Sequence, residues 1–253
     1  RTLGDDAIYA FTMGGTAYSV AANVNTTTQV TDQNSSQSIT QTTYDGAAYN
    51  VDMLKHALGN YIETLHLDEA WLPHAAFHDF YKDMHAIGKD RPRSEEGLVF
   101  ATHSTHKLLA GISQASQIIV QESETRKLDR HIFNEAYLMH TSTSPQYAII
   151  ASCDVSAAMM EPPGGTALVA ESIIEALDFR RAMRKVDEEW GKDWWFKVWG
   201  PDRLSSEGIR RDDWILRANE KWHGFGDLAA GFNILDPIKA TIITPGLDVS
   251  GKF

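Results

Sequence analysis

Three short apolar runs constrain this chain more tightly than any other feature. Thr64-Leu65-His66-Leu67 ends at Asp68, Leu98-Val99-Phe100-Ala101 leads into a polar segment, and Gln117-Ile118-Ile119-Val120-Gln121 follows. Each is long enough for a strand and too short for a typical helix. Helical patterns alternate with them. Val51 to Leu58 reads as a short helix closed by Gly59. Ser144-Pro145 reads as a helix start, with Ser at the N-cap and Pro in the first turn, and that helix runs to about Met160. Pro162-Pro163-Gly164-Gly165 breaks the chain, and a long amphipathic helix follows. Its Leu168, Ile173, Ile174, Leu177, Met183 and Val186 recur near a 3.6-residue period, with Glu171, Glu175, Arg180, Arg181, Arg184 and Lys185 on the exposed face. Strands alternating with helices predict an α/β fold, a largely parallel sheet covered on both faces.

The rest is less regular. Residues 7–24 read as a strand, a Gly14-Gly15 turn and a small-residue helix start. Residues 25–43 are almost all Asn, Gln, Ser and Thr, too few apolar side chains for a buried element, so a loop or linker is expected. Residues 194–199 are aromatic and β-prone, and residues 238–244 read as a strand. No internal repeat is visible.

At 253 residues the chain holds one large domain or two small ones. Asp and Glu outnumber Lys and Arg by 34 to 23, a net charge of −11. A nucleic-acid binder would show a basic face, so nucleic acid is not an expected partner; a cationic substrate is compatible. Cys153 is the single cysteine, which rules out an intrachain disulfide and fits a reducing cytoplasm. No apolar run nears the roughly 20 residues needed to span a bilayer, so no membrane association is expected. The N-terminus has no basic stretch followed by an apolar one, so no secretory leader is expected. The chain opens on Arg1 and stops at Lys252-Phe253 just after a strand-like run, and both ends read as cuts.

The chemistry centres on Ala101-Thr102-His103-Ser104-Thr105-His106-Lys107-Leu108-Leu109-Ala110. Most lysines are solvated surface groups. Lys107, however, has apolar flanks and hydroxyl and imidazole neighbours, and lies just past a strand's carboxyl end, where open α/β sheets bind ligands. A partly desolvated lysine can attack an aldehyde as the neutral amine. Asp68 also sits at a strand end. It is either a turn acid or a carboxylate that accepts a hydrogen bond from a protonated pyridine nitrogen. An imine-forming lysine plus such an acid is the minimum equipment of a pyridoxal phosphate enzyme. Trp71 is a core residue or a wall of that site.

Phosphate needs backbone N–H groups and hydroxyls at a helix N-terminus. Gly14-Gly15-Thr16-Ala17-Tyr18-Ser19 has that composition, as does an ordinary turn; Ser104 and His106 form a second candidate cradle. His74 and His78 are spaced i, i+4, and His103 and His106 i, i+3, but no clear third ligand accompanies them, so no metal site is expected. Cys153 reads as a buried, inert thiol on a core face. Trp222-His223-Gly224-Phe225 reads as core or as pocket wall.

These residues carry a resemblance. Phe100 to Leu109, with Ser113-Gln114-Ala115-Ser116-Gln117-Ile118, is similar to the lysine segment of bacterial ornithine/lysine/arginine decarboxylases, which are fold-type I pyridoxal phosphate enzymes. Thr43-Tyr44-Asp45-Gly46, His66-Leu67-Asp68-Glu69-Ala70-Trp71, Thr143-Ser144-Pro145-Gln146-Tyr147, Trp222-His223-Gly224-Phe225 and Leu235-Asp236-Pro237-Ile238-Lys239 follow in family order, covering residues 42–253. The resemblance implies a three-layer α/β/α sandwich of the aspartate aminotransferase kind, built as the large domain. Lys107 would bind the cofactor as an imine, Asp68 would pair with the pyridine nitrogen, and Ser104 and His106 would contact the phosphate. Thr16 and Ser19 resemble the family's phosphate turn less closely. Thr143 and Ser144 would lie near the site at a dimer interface.

The implied reaction is decarboxylation of a basic amino acid to a di- or polyamine, by a homodimer or higher homo-oligomer. Residues 194–199 and 224–227 lean towards lysine or arginine as substrate. The chain departs from the family between the phosphate turn and Thr43. There the family carries a histidine that stacks on the cofactor ring, whereas residues 25–43 contain none. The family's N-terminal wing and C-terminal small domain have no counterpart. Residues 1–24 thus read as a partial start of the cofactor-binding domain, 25–43 as a polar linker and 44–253 as the major domain. The rival expectation is a non-catalytic remnant that does not hold the cofactor. Another fold-type I reaction, such as transamination, is disfavoured by the continuous match.

Overall fold

In chain order the elements are β1 (Ala7–Phe11), β2 (Ala17–Ala21), β3 (Ser36–Thr40), β4 (Ala47–Tyr49), α1 (Val51–Leu58), β5 (Thr64–Asp68), β6 (Leu98–His103), α2 (Thr105–Leu108), β7 (Gln117–Gln121), α3 (Arg130–His140), α4 (Tyr147–Met160), α5 (Gly164–Trp190), β8 (Lys197–Val198), β9 (Asn233–Leu235) and β10 (Ile242–Ile243), besides short 3-10 turns. The structure is a computed structural model that describes residues 7–11, 17–21, 36–58, 60–88 and 91–244.

The main sheet has the order β2-β1-β3-β5-β6-β7. Only β3–β5 and β5–β6 pair parallel; β1–β2, β1–β3 and β6–β7 are antiparallel. The sheet is therefore mixed rather than largely parallel. The reason at β7 is geometric. A six-residue strand spans about 20 Å, and the four residues of α2 rise only about 6 Å. The helix does not carry the chain back to the sheet's other end, so β7 returns antiparallel.

Helices cover both faces. Asn50 Oδ1 accepts from Met53 N (3.0 Å) and caps α1. Val51, Leu54 and Leu58 of α1 then pack on Ile39, Leu65, Leu67, Val99 and Ala101. Each such buried aliphatic side chain contributes roughly 1.5–3 kcal/mol. On the other face, Asp129 Oδ1 caps α3 by accepting from His131 N (2.9 Å) and Ile132 N (3.1 Å), and Phe133 meets Phe100 of β6 with ring centroids 6.1 Å apart. A second core joins Val169, Ile173 and Leu177 of α5 to Tyr81, Met84, Trp214, Ile234 and Leu235. Gly46, at φ +96°, lets the β4 turn approach the 236–239 loop, since a Cβ there would sit 3.1 Å from Lys239 Cβ and 3.2 Å from Asp236 O.

Several expectations need correction. Residues 36–40 are not linker but the central strand β3, with Gln37, Ile39 and Gln41 buried. The segment after Gly15 continues as strand β2, not as a helix start. α4 begins at Tyr147 behind Gln146, so Ser144 is not its cap. Cys153 is half-buried, because α4 turns only Ser156 and Met160 inward. Leu168 and Ile174 are exposed, at 39% and 51%. Arg180, expected on the exposed face, is fully buried. Its guanidinium donates to Ala176 O, Pro237 O and Lys239 O and lies 5.0 Å over the Trp214 ring. Within 194–199 and 238–244 only the two-residue strands β8 and β10 form.

Candidate active site

The parallel strands β3, β5 and β6 end together, with Thr40 beside Asp68 and Asp68 beside Thr102 in register. Side chains alternate across the sheet, so Asp68 shares a face with His66 and Thr102, while Glu69 continues the Leu65–Leu67 face. Asp68 Oδ1 accepts from Ala70 N at 3.0 Å, and among the described residues no other hydrogen bond engages the carboxylate. On its face a row crosses three strands. Ser38 Oγ lies 2.7 Å from His66 Nδ1, and His66 Nε2 lies 3.0 Å from Thr102 Oγ1. Burial pushes His66 below its usual pKa, against the opposing pull of Asp68 and Glu69. A neutral ring matches its place between two hydroxyls.

β6 leads through Ser104 into α2, which carries Lys107. Its ammonium rests 4.5 Å from the centroid of the Trp71 ring and has no carboxylate partner among the described residues. Trp71 is fixed edge-on by Tyr44, centroids 5.7 Å apart. The structure thus brings Lys107 and Trp71 together, and sets Asp68 beside Thr102 at the end of the strand next to β6. Ser104 occupies the N-cap position of α2 but makes no capping hydrogen bond, and buried Thr105 Oγ1 has no partner among the described residues. His106 Nδ1 donates to Ala115 O at 2.9 Å. Thr143 and Ser144 are exposed between α3 and α4, and Ser144 makes only local bonds with Ser142. Thr16 lies outside the described residues; Ser19 lies on β2 opposite Tyr9.

The histidine pairs do not converge. His74 Nε2 lies 3.3 Å from Asp236, His78 Nδ1 accepts from Phe80 N, and His103 Nε2 donates to Glu69 Oε2 at 2.8 Å. Two groups went unread in the sequence. Glu69 is 1% exposed, and its Oε1 accepts from Ala86 N at 2.6 Å. Asp236 is fully buried between Tyr81, Lys239 and His74. The period-2 register of β5 and β6 puts Glu69 and His103 on the core face, which was the available signal. Trp222 half-lines a cleft of about 420 Å³ with Arg203, Arg217 and Glu220, so the Trp222 segment is both core and wall.

An amine with no carboxylate partner among the described residues and a carboxylate thus lie beyond the carboxyl ends of the adjacent parallel strands β6 and β5 of an α/β frame, the place where open α/β sheets take ligands. Known proteins narrow this. A family model described as Orn/Lys/Arg decarboxylase, major domain, matches residues 10–253. Lysine decarboxylase LdcA of Pseudomonas aeruginosa is 54% identical over 218 residues, covering 85% of this chain and 29% of that protein. The biodegradative arginine decarboxylase of Escherichia coli is 39% identical over 234 residues, covering 85% and 31%. The solved structure of lysine decarboxylase A from Pseudomonas aeruginosa superposes with a TM-score of 0.76 at 52% identity, over 85% of this chain and 29% of that one. The chain belongs to the Orn/Lys/Arg decarboxylase family, and it spans less than a third of the length of these relatives.

Proposed function

We propose that this chain supplies the cofactor-binding large domain of a pyridoxal phosphate-dependent decarboxylase for a basic amino acid: lysine, arginine or ornithine. The observation that carries the reading is Lys107 held over Trp71 without an acid partner, beyond the strand adjacent to the one that ends in Asp68. The residues present fit the cofactor. Lys107 would hold its aldehyde carbon, Asp68 would accept from its ring nitrogen, and Ser104 with His106 would face its phosphate. When bound, the cofactor supplies an electron sink. That sink would take up the electron pair left at Cα as the carboxylate departs as carbon dioxide, before a proton returns to Cα.

The chain's own part is binding, charge and placement. Among the described residues only Ala70 N occupies the Asp68 carboxylate, through Oδ1, so Oδ2 is available to the ring nitrogen. His106 Nε2 donates to an anion only when the ring is protonated, since Nδ1 is committed to Ala115 O. β1, β2 and β3 belong to the same sheet as β5, β6 and β7, so we assign them to one domain. Exposed apolar side chains on α3 and α4, among them Ile132, Met139, Tyr147 and Val155, support a homo-oligomer whose interface includes Thr143 and Ser144.

The test is borohydride reduction of the chain with pyridoxal phosphate, followed by peptide mapping. Pyridoxyl label on Lys107 above other lysines, lost in Lys107→Ala, is expected. Random or absent labelling refutes the reading and leaves a non-catalytic remnant.

A further inference from the structure

One hydrogen-bonded side-chain pair ties together the two strand ends that carry the site. Glu69 follows Asp68 directly, and His103 precedes Ser104, the residue that opens the turn to Lys107. His103 Nε2 donates to Glu69 Oε2 at 2.8 Å, and Glu69 Oε1 accepts from Ala86 N at 2.6 Å. The side chains are 12% and 1% exposed. A single carboxylate therefore joins the end of β5, the end of β6 and the loop that precedes Ala86. Both its oxygens are used, so it has no freedom to rotate. The bonds are charge-assisted and shielded from water, which makes them stiffer than surface pairs.

Neighbouring residues at a strand end point to opposite faces, so fixing the Glu69 side chain fixes the peptide from which Asp68 projects. Fixing His103 likewise fixes the entry to α2. We propose that Glu69 and His103 form a positioning pair that sets the placement of Lys107 relative to Asp68. The inference rests on the decarboxylase reading above. Reactive groups need placement within about 0.5 Å, and a displacement of about 1 Å costs on the order of 100-fold in rate. His103 also keeps Nδ1 free of any partner among the described residues. It lines an open cavity of about 370 Å³ with Ile87, Leu109, Gln117 and Ile119, so the ring is held from the Glu69 side alone.

The test compares the rate of reductive pyridoxal phosphate labelling at Lys107 with that at exposed Lys127, whose side chain is 60% exposed. His103→Ala should slow Lys107 at least tenfold and leave Lys127 unchanged. His103→Gln, whose amide also donates to Glu69, should restore Lys107 to within threefold. Amide hydrogen exchange over residues 104–109 should rise in His103→Ala and recover in His103→Gln. Wild-type labelling of Lys107 in His103→Ala overturns the proposal. So does a loss that His103→Gln fails to rescue, or one shared equally by Lys127, since either marks a general loss of structure. Should the unsubstituted chain label Lys107 no faster than Lys127, the decarboxylase reading itself falls; that failure appears before any substitution is made.

Discussion

Replacing Asp236 by Asn should be among the most damaging single-atom changes available in this chain. The carboxylate is fully buried. Oδ1 accepts from Tyr81 Oη at 2.7 Å and from Ile238 N at 3.0 Å, and Oδ2 faces Lys239 Nζ at 3.0 Å and His74 Nε2 at 3.3 Å. An amide keeps the Oδ1 bonds but turns an N–H donor towards the ammonium. Lys239, only 9% exposed, then has no counter-charge. Breaking one partner of a buried pair costs about 3–5 kcal/mol. At roughly 2–4 °C per kcal/mol for a domain of this size, Tm should fall by about 6–20 °C. Adding Lys239→Met removes the stranded cation, so the double variant should lose less than the sum of the singles by on the order of 1–3 kcal/mol.

Acid should act on the same group. Burial alone would raise the Asp236 pKa, but His74, Lys239 and Tyr81 outweigh it and hold the carboxyl well below its ordinary 3.8. A depressed carboxyl stabilises the fold above the unfolded value and loses that contribution as pH falls through the folded one. The Asp236→Asn deficit should therefore be complete at neutral pH and shrink below about pH 3.8. Calorimetry of the three variants at pH 7 decides the matter. A loss under about 1 kcal/mol, or strict additivity, refutes the claim that this pair is charged and coupled.

Two further outcomes are expected. Ile39→Ala, at a fully buried position of β3, should cost about 2–5 kcal/mol by denaturant titration, while exposed Ser36→Ala should stay within about 0.5 kcal/mol; equal effects would contradict a central β3. Burial, reinforced by Arg91, lowers His85 from 6.5 to about 4 despite its contact with Tyr81 O. The unfolded chain then binds more protons between those values. Stability should be full above pH 6.5 and fall as pH drops towards 4, and His85→Gln should flatten that part of the stability curve; an unchanged curve would refute the assignment.

What could be read from the sequence follows the physics of each segment. β5, α1 and β7 were readable to the residue because each is a short apolar run bounded by polar or turn residues, although apolar spacing predicts the buried face only in β5: β7 buries Gln121 and exposes Ile118, and α1 buries Lys55. Lys107 and Asp68 stand out in the sequence because each follows a strand end, where such groups can meet a ligand, and the structure bears out those positions past β6 and at the end of β5. β3 was not readable, because its burial is polar. Gln41 lies fully buried with its amide donating to Tyr49 O and Met84 O, and Ser38 meets His66 across the sheet. Those acceptors lie 8 to 43 residues away in sequence, so composition within 25–43 holds no trace of them.

Arg180 is the same case on a helix. Its position three residues after Leu177 continues the buried stripe of α5, but a guanidinium is admitted there only because Pro237 O and Lys239 O wait to receive it. A charged residue that keeps the apolar period is thus better read as a buried group awaiting carbonyl acceptors than as an exposed one. In this chain the acceptors come from the loop that also presents Asp236 and Lys239. Lys239 Nζ in turn donates at 2.7 Å to the backbone carbonyl of Trp71, the residue whose ring supports Lys107. The buried charges of α5 and the 236–239 loop therefore reach the candidate site through one backbone carbonyl, and substitutions at Asp236 should disturb Lys107 labelling as well as stability.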